Sequence, residues 1–268
     1  MTNSVLLHFH QVQTRDGSIC LYGKDGVLFS DDRRPVLLLI HGALRDSSVL
    51  FQWINLFGTE CDLVFADLPG HGRSPATTTA TVESFAENIG DAITAALSGR
   101  SIVVLGESLG GLIAIALGRL HLSPLKGIVA ADPPLTMAKL WHVRRFLIDA
   151  LANDPANQFL QSFALNIFGV DADGNSHERI YYDLIEQVSV PIHIITGDVP
   201  LLPMRNVASV PCLIDDVDRY VVRRLFGDAL QLAIVTDCGH HVLIDGEEEC
   251  RKIVERFSNS VWLAQDND

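Results

Sequence analysis

Short apolar runs recur along the chain at 36–40, 62–66, 102–106, 125–130, 191–196 and 231–235. Each is nearly continuous in hydrophobic residues, without the alternation of a strand that has one wet face. That pattern predicts strands covered on both sides, as in a parallel sheet between layers of helices. Helical spacing fills the gaps. Val82, Phe85, Ile89, Ile93 and Leu97 mark one face of a helix over 81–97, with Thr81 as its N-cap. Further helices are predicted over 109–120, 215–227 and 247–257. The stretches 4–10 and 19–21 read as opening strands, forming a hairpin at the sheet edge. Strand–helix alternation of this kind belongs to the α/β class.

The alternation breaks after Asp132. Residues 133–190 read as irregular and helical, with one amphipathic stretch at Leu140, Val143, Phe146 and Leu147 and another over 159–168. The chain therefore divides into a first core part at 1–132, an inserted helical cap or lid at 133–190, and a second core part at 191–268. The insertion leaves from the carboxyl end of one strand, the edge where open parallel sheets place their sites.

Composition narrows the partners. With 48% hydrophobic residues in 268, the chain can build a substantial core. Its formal net charge of -13 argues against nucleic acid, which requires clustered Lys and Arg. No apolar run approaches a membrane span, and the first residues lack the basic and apolar regions of a secretory signal. The five cysteines are scattered singly at Cys20, Cys61, Cys212, Cys238 and Cys250, without metal-type spacing. Reduced thiols in a cytoplasmic protein and no metal are the expectation. Oligomeric state is not legible.

The chemistry begins at Gly106-Glu107-Ser108-Leu109-Gly110, a Gly-x-Ser-x-Gly sequence between a buried strand and a helix. On such a turn a serine is held in a strained conformation that projects its hydroxyl from the sheet edge. The bland alternative, an N-cap serine beside packing glycines, is disfavoured by the strand before it and the helix after it. A serine needs a base to act as a nucleophile. Gly239-His240-His241 follows the strand at 231–235; His240 is read as the base and His241 as a surface-loop residue. An oxyanion needs backbone donors, assigned to the N–H groups of Leu109 and of Ala43 in LLLIHGALRDSS. His41 is read as a brace for that loop.

The motifs LLLIHGALRDSS, VFADLPGHGRS, VLGESLGG and CGHHVLID occur in this order, each at the end of a predicted strand. In this the chain resembles the α/β-hydrolase superfamily over nearly its full length. The resemblance implies a mostly parallel eight-stranded sheet with helices on both faces, a helical cap after the sixth strand, and a Ser–acid–His triad without cofactor. It also implies that Asp67 and His71 shape a loop rather than react. The chain departs from the family at the acid. Many relatives carry it after the seventh strand, in a Gly-x-x-Asp arrangement, where this chain has Pro200; Asp198 stands two places short. A minority take it from the end of the sixth strand, where this chain has Asp132. Asp132 is preferred and Asp198 is the alternative; each keeps the order Ser…Asp…His.

The expected activity is a serine hydrolase cleaving a small carboxylic ester, thioester or lactone through an acyl-enzyme, with a small-molecule acyl substrate as partner. Carbon–carbon bond hydrolysis, perhydrolysis or acyl transfer at the same site remain open, as does a ligand-binding protein on a hydrolase scaffold. Leu44, Trp141 and Phe146 are the candidate substrate-pocket residues. Aromatic residues on an amphipathic helix are buried whatever the ligand, which weakens the case for the last two.

Overall fold

A computed structural model describes residues 6–57, 60–199, 210–227 and 230–263. Pro200 lies outside them. The strands are β1 (His8–Thr14), β2 (Gly17–Gly23), β3 (Val36–Ile40), β4 (Asp62–Ala66), β5 (Ile102–Glu107), β6 (Leu125–Ala131), β7 (Ile192–Gly197) and β8 (Leu230–Val235). They form one eight-stranded sheet in the order β1-β2-β4-β3-β5-β6-β7-β8. From β4 to β8 every pairing is parallel; β2 runs antiparallel to both its neighbours at one edge.

The interior strands bury both faces, and period-two alternation sorts their side chains. Leu38, Ile40, Val104, Ile128, Ala130 and Ile194 join a core on one face with α1 (Val82–Ala96) and α2 (Leu109–Leu117). Leu37, Leu39, Val103, Leu105, Val129, Ala131 and Ile195 face the other core. There Trp53 packs from a 3₁₀ segment, Ser47–Asn55, while Ile253, Val254 and Phe257 come from α8 (Glu247–Leu263). Burial of two faces explains why these strands read as unbroken apolar runs.

Strand β1 starts later than the 4–10 expected. Its residues are mostly exposed, so hydrophobicity does not mark its position. The position follows instead from the tight turn between Thr14 and Gly17, which pair directly, with Gly17 at φ +120°. Thr81 caps α1 as expected and reciprocates with Ser84 in a capping box.

Between β6 and β7 the chain forms a 3₁₀ turn (Met137–Leu140), α3 (Trp141–Asn153), α4 (Gln158–Asn166) and the short α5 (Asp183–Glu186). Leu147, Leu151 and Phe163 are buried in the same core as α1 and α2. Phe163 stacks on Phe85 of α1 at 6.3 Å between ring centroids. The remaining helices are α6 (Asp216–Phe226) and α7 (Val242–Asp245).

Strand order also locates a crevice. From β3 the chain crosses to β4 on one side, then returns past β3 to β5 on the other. Loops leaving the carboxyl ends of β3 and β5 therefore diverge, opening the space where such sheets bind ligands. The loop after β3 carries Gly42 and Ala43; the turn after β5 carries Ser108.

Candidate active site

Ser108 sits between β5 and α2 at φ 54°, ψ -118°, a left-handed φ that an L-residue adopts only at a cost. The flanking glycines make the turn feasible. A Cβ on Gly106 would lie 2.0 Å from the carbonyl oxygen of Gly110, and one on Gly110 would lie 2.3 Å from the carbonyl oxygen of Ile40. Strand and helix backbones approach too closely there for any side chain. Helix α2 then leaves its first N–H, that of Leu109, without an intrahelical acceptor.

Asp132 ends β6, fully buried and itself at φ 43°. Its carboxylate is surrounded by donors. Oδ1 accepts from Thr196 Oγ1 at 2.7 Å and from the Ile214 N–H at 3.1 Å. Oδ2 accepts from the Leu213 N–H at 2.8 Å and from His240 Nδ1 at 2.7 Å. With a proton on Nδ1, the imidazole keeps Nε2 as a proton acceptor. Asp198 lies elsewhere: it is exposed, its N–H donates to the carbonyl of Cys238 at 3.0 Å, and its carboxylate makes no contact with His240. Of the two aspartates, the fold brings Asp132 to the histidine.

Ser108 and His240 line one cavity of about 170 Å³ together with Ala43, Leu44 and Leu109. The serine hydroxyl and the imidazole share its wall without a hydrogen bond between them. Leu140, Val143 and Phe168, from the segment between β6 and β7, also line it. Trp141 and Phe146 do not line the cavity; they are 67% and 55% exposed. The reason is helical phase. At about 100° per residue, both point roughly a quarter-turn or more away from the stripe of Leu147 and Leu151 that the helix buries.

His41 is completely buried, with Nδ1 bonded to the Gly42 carbonyl at 2.7 Å and Nε2 accepting from the Leu68 N–H at 3.0 Å. Burial, reinforced by the charge of His71, pushes it down to about 4, so it is a neutral brace between two loops. Asp67 accepts from the N–H groups of Ser47 and Arg73 at 2.9 and 2.8 Å and from the Tyr22 hydroxyl at 2.7 Å.

The fold also assembles a cluster that sequence reading missed. His241 is not a surface-loop residue but half-buried in the cavity wall, where Arg45 Nη2 lies 2.8 Å from its Nε2 and 3.0 Å from its Nδ1. Arg45 Nη1 reaches Glu107 Oε2 at 3.4 Å. Glu107 is 1% exposed. Burial raises its pKa, but His241 and the Arg45 charge outweigh that and hold the carboxyl below its usual range. A charged residue next to the serine in a buried strand was the available signal. Its partners come from loops far away in sequence.

A sequence model of the alpha/beta hydrolase family matches residues 37–253, from β3 through β8 and including the serine turn and the histidine loop. The chain belongs to that family. Its solved structural neighbours include carboxylesterase CesB (YbfK) from Bacillus subtilis, at 16% identity and TM-score 0.68 over 95% of this chain and 92% of that one. The thioesterase domain from the curacin biosynthetic pathway matches at 16% identity and TM-score 0.62, over 93% and 99%. Proline iminopeptidase from Mycobacterium smegmatis matches at 14% and 0.67, over 96% and 100%. At such identities the likeness shows the fold alone, and members of one fold host different reactions. No curated protein sequence matches the chain. Among the described residues, no helix is long and apolar enough to cross a membrane, and no group of His, Cys, Asp or Glu side chains could hold a metal ion.

Proposed function

We propose that this hydrolase cleaves small carboxylic esters, thioesters or lactones through Ser108, His240 and Asp132. The observation that carries the reading is the 2.7 Å hydrogen bond from His240 Nδ1 to the buried Asp132 carboxylate, on the wall of the cavity that also holds Ser108. That bond sets the tautomer a general base requires.

Substrate enters the cavity between the helical cap and the strand ends, with its carbonyl carbon over Ser108 Oγ. His240 Nε2 takes the hydroxyl proton as Oγ forms a bond to carbon, and the imidazolium that results is stabilised by Asp132. The N–H groups of Ala43 and Leu109 receive the tetrahedral oxyanion. His240 returns the proton to the leaving alcohol or thiol as the carbon–oxygen or carbon–sulfur bond breaks. Water, deprotonated by the same histidine, then releases the acid and restores Ser108. The cavity is smaller than the ~300–1,000 Å³ of sites for drug-sized ligands, which favours a short acyl group.

Intact mass after treatment with a small fluorophosphonate tests the reading without presuming a substrate. A single adduct on the wild type that is absent from Ser108→Ala is the expected result. A folded wild type that takes no adduct overturns it.

A further inference from the structure

Arg45 supplies the one Lys or Arg side chain among the described residues lining the cavity, and its surroundings leave most of its hydrogen-bonding capacity unused. A guanidinium carries five N–H donors in a fixed fork. Here Nη1 makes a long contact of 3.4 Å to Glu107, Nη2 meets His241, and Nε–H has no hydrogen-bond partner among the described residues. With a side chain 27% exposed, Arg45 is reachable from the cavity.

A second observation concerns His241. Both of its ring nitrogens lie within 3.0 Å of the same Arg45 nitrogen. One nitrogen so placed cannot lie along the in-plane direction of both ring nitrogens, so the imidazole takes at most one hydrogen bond from Arg45. Glu107 meets this pair only loosely. Its Oε1 is buried without a hydrogen-bond partner, and His241 Nδ1 stands 3.6 Å away, beyond hydrogen-bond reach. Arg45 therefore keeps N–H donors beyond those that meet Glu107 and His241, without an acceptor among the described residues, on a cavity it shares with Ser108. An anion with two oxygens in a plane supplies what is missing, and apolar walls at Leu44, Leu140 and Val143 strengthen the attraction by excluding water.

We infer that Arg45, with His241 beside it, is a subsite for a carboxylate carried by the substrate, making the preferred substrates short esters of acids that bear a second, free carboxylate. The inference rests on the serine-hydrolase reading of Ser108. The second carboxylate takes no part in bond breaking; it fixes which end of the acyl chain lies over the nucleophile.

The test compares 4-nitrophenyl hydrogen adipate with methyl 4-nitrophenyl adipate, which differ only in whether the distal carboxylate is free. Wild type is expected to favour the free acid at least tenfold in kcat/KM, mainly through KM, and Arg45→Met to bring that ratio near one. Arg45→Lys should restore part of the preference, because a point charge replaces the fork. A wild-type ratio at or below one overturns the inference, as does a ratio that Arg45→Met leaves unchanged; the arginine then serves only to neutralise Glu107. A measurement free of variants guards against misfolding: adipate, and not its neutral diamide adipamide, should slow fluorophosphonate labelling of Ser108. Equal protection, or none, refutes the subsite while labelling itself still supports the serine hydrolase. Failure to label refutes both.

Discussion

Replacing Asp132 with asparagine changes one atom and disturbs four hydrogen bonds. In the wild type every partner is a donor: Thr196 Oγ1 and the Ile214 N–H toward Oδ1, the Leu213 N–H and His240 Nδ1 toward Oδ2. An asparagine offers one acceptor oxygen and one NH₂ group. If the NH₂ takes the Oδ1 position, it opposes the Ile214 N–H. If it takes the Oδ2 position, it opposes the Leu213 N–H and forces His240 to accept at Nδ1, which moves the ring proton to Nε2 and leaves no base for Ser108. Each orientation strands a buried backbone donor, at a cost of about 1–3 kcal/mol in stability. For catalysis the first orientation leaves His240 with a neutral partner in place of a carboxylate and the second also removes the base: kcat should fall at least tenfold and by up to about 10⁴, the effect of the same change in a serine protease triad. In activation free energy the larger loss is about 5 kcal/mol. The assay is kcat on 4-nitrophenyl acetate, with thermal unfolding as a check on folding. Asp198→Asn serves as the control and should stay within about twofold, since Asp198 is exposed and touches neither triad partner. A tenth or more of wild-type activity in Asp132→Asn, or an equal loss in Asp198→Asn, would refute the reasoning.

Other expectations follow from the same contacts. Lys139 Nζ donates to the Leu213 carbonyl at 3.1 Å and pairs with Asp215 at 2.9 Å and with the buried Asp218, so it ties the helical segment to the loop whose N–H groups hold Asp132. Lys139→Met should lower kcat on the order of ten- to a hundredfold with KM little changed; Lys139→Arg should recover part of it, and a kcat within twofold of wild type for Lys139→Met would break the link. Gly106→Ala has no rotamer to escape the 2.0 Å approach to the Gly110 carbonyl and should destabilise by at least about 3 kcal/mol, measured by urea unfolding. Burial pushes His193 down to about 4 from 6.5, so its folded form rejects a proton that the unfolded chain accepts. Its contribution is therefore present above about pH 6.5 and is lost as pH falls toward 4. Urea-derived stability should fall over that window, and His193→Gln should flatten the slope by up to one proton; identical slopes would show that burial does not control this group.

How much was legible in the sequence depends on where burial is symmetrical. The continuous apolar strands from β3 to β7 could be read to within a residue or two, because helices cover both sheet faces and leave no polar alternation to confuse the pattern. Strand β1 could not, since an exposed edge strand carries no hydrophobic signal and is placed by its turn. The Ser108 turn was legible because one local constraint, backbone against backbone at Gly106 and Gly110, admits only glycine. His240 and Asp132 were legible as ends of strands, but the choice of Asp132 over Asp198 as the histidine's partner was not certain from order alone. It depends on which carboxylate the sheet carries to Nδ1, and β6 lies on the path where exposed Asp198 does not.

Sequence by itself determined the strands, the strained serine turn and the residue types that chemistry at that edge requires, because each depends on contacts a few residues apart or on burial that every neighbour shares. Tertiary structure alone decided the rest. Helical phase turned Trp141 and Phe146 outward, while strand order and loop paths brought Arg45, Glu107 and His241 together from separate parts of the chain. Such meetings are set by the direction in which each loop leaves the sheet, and no periodicity along the chain records that direction.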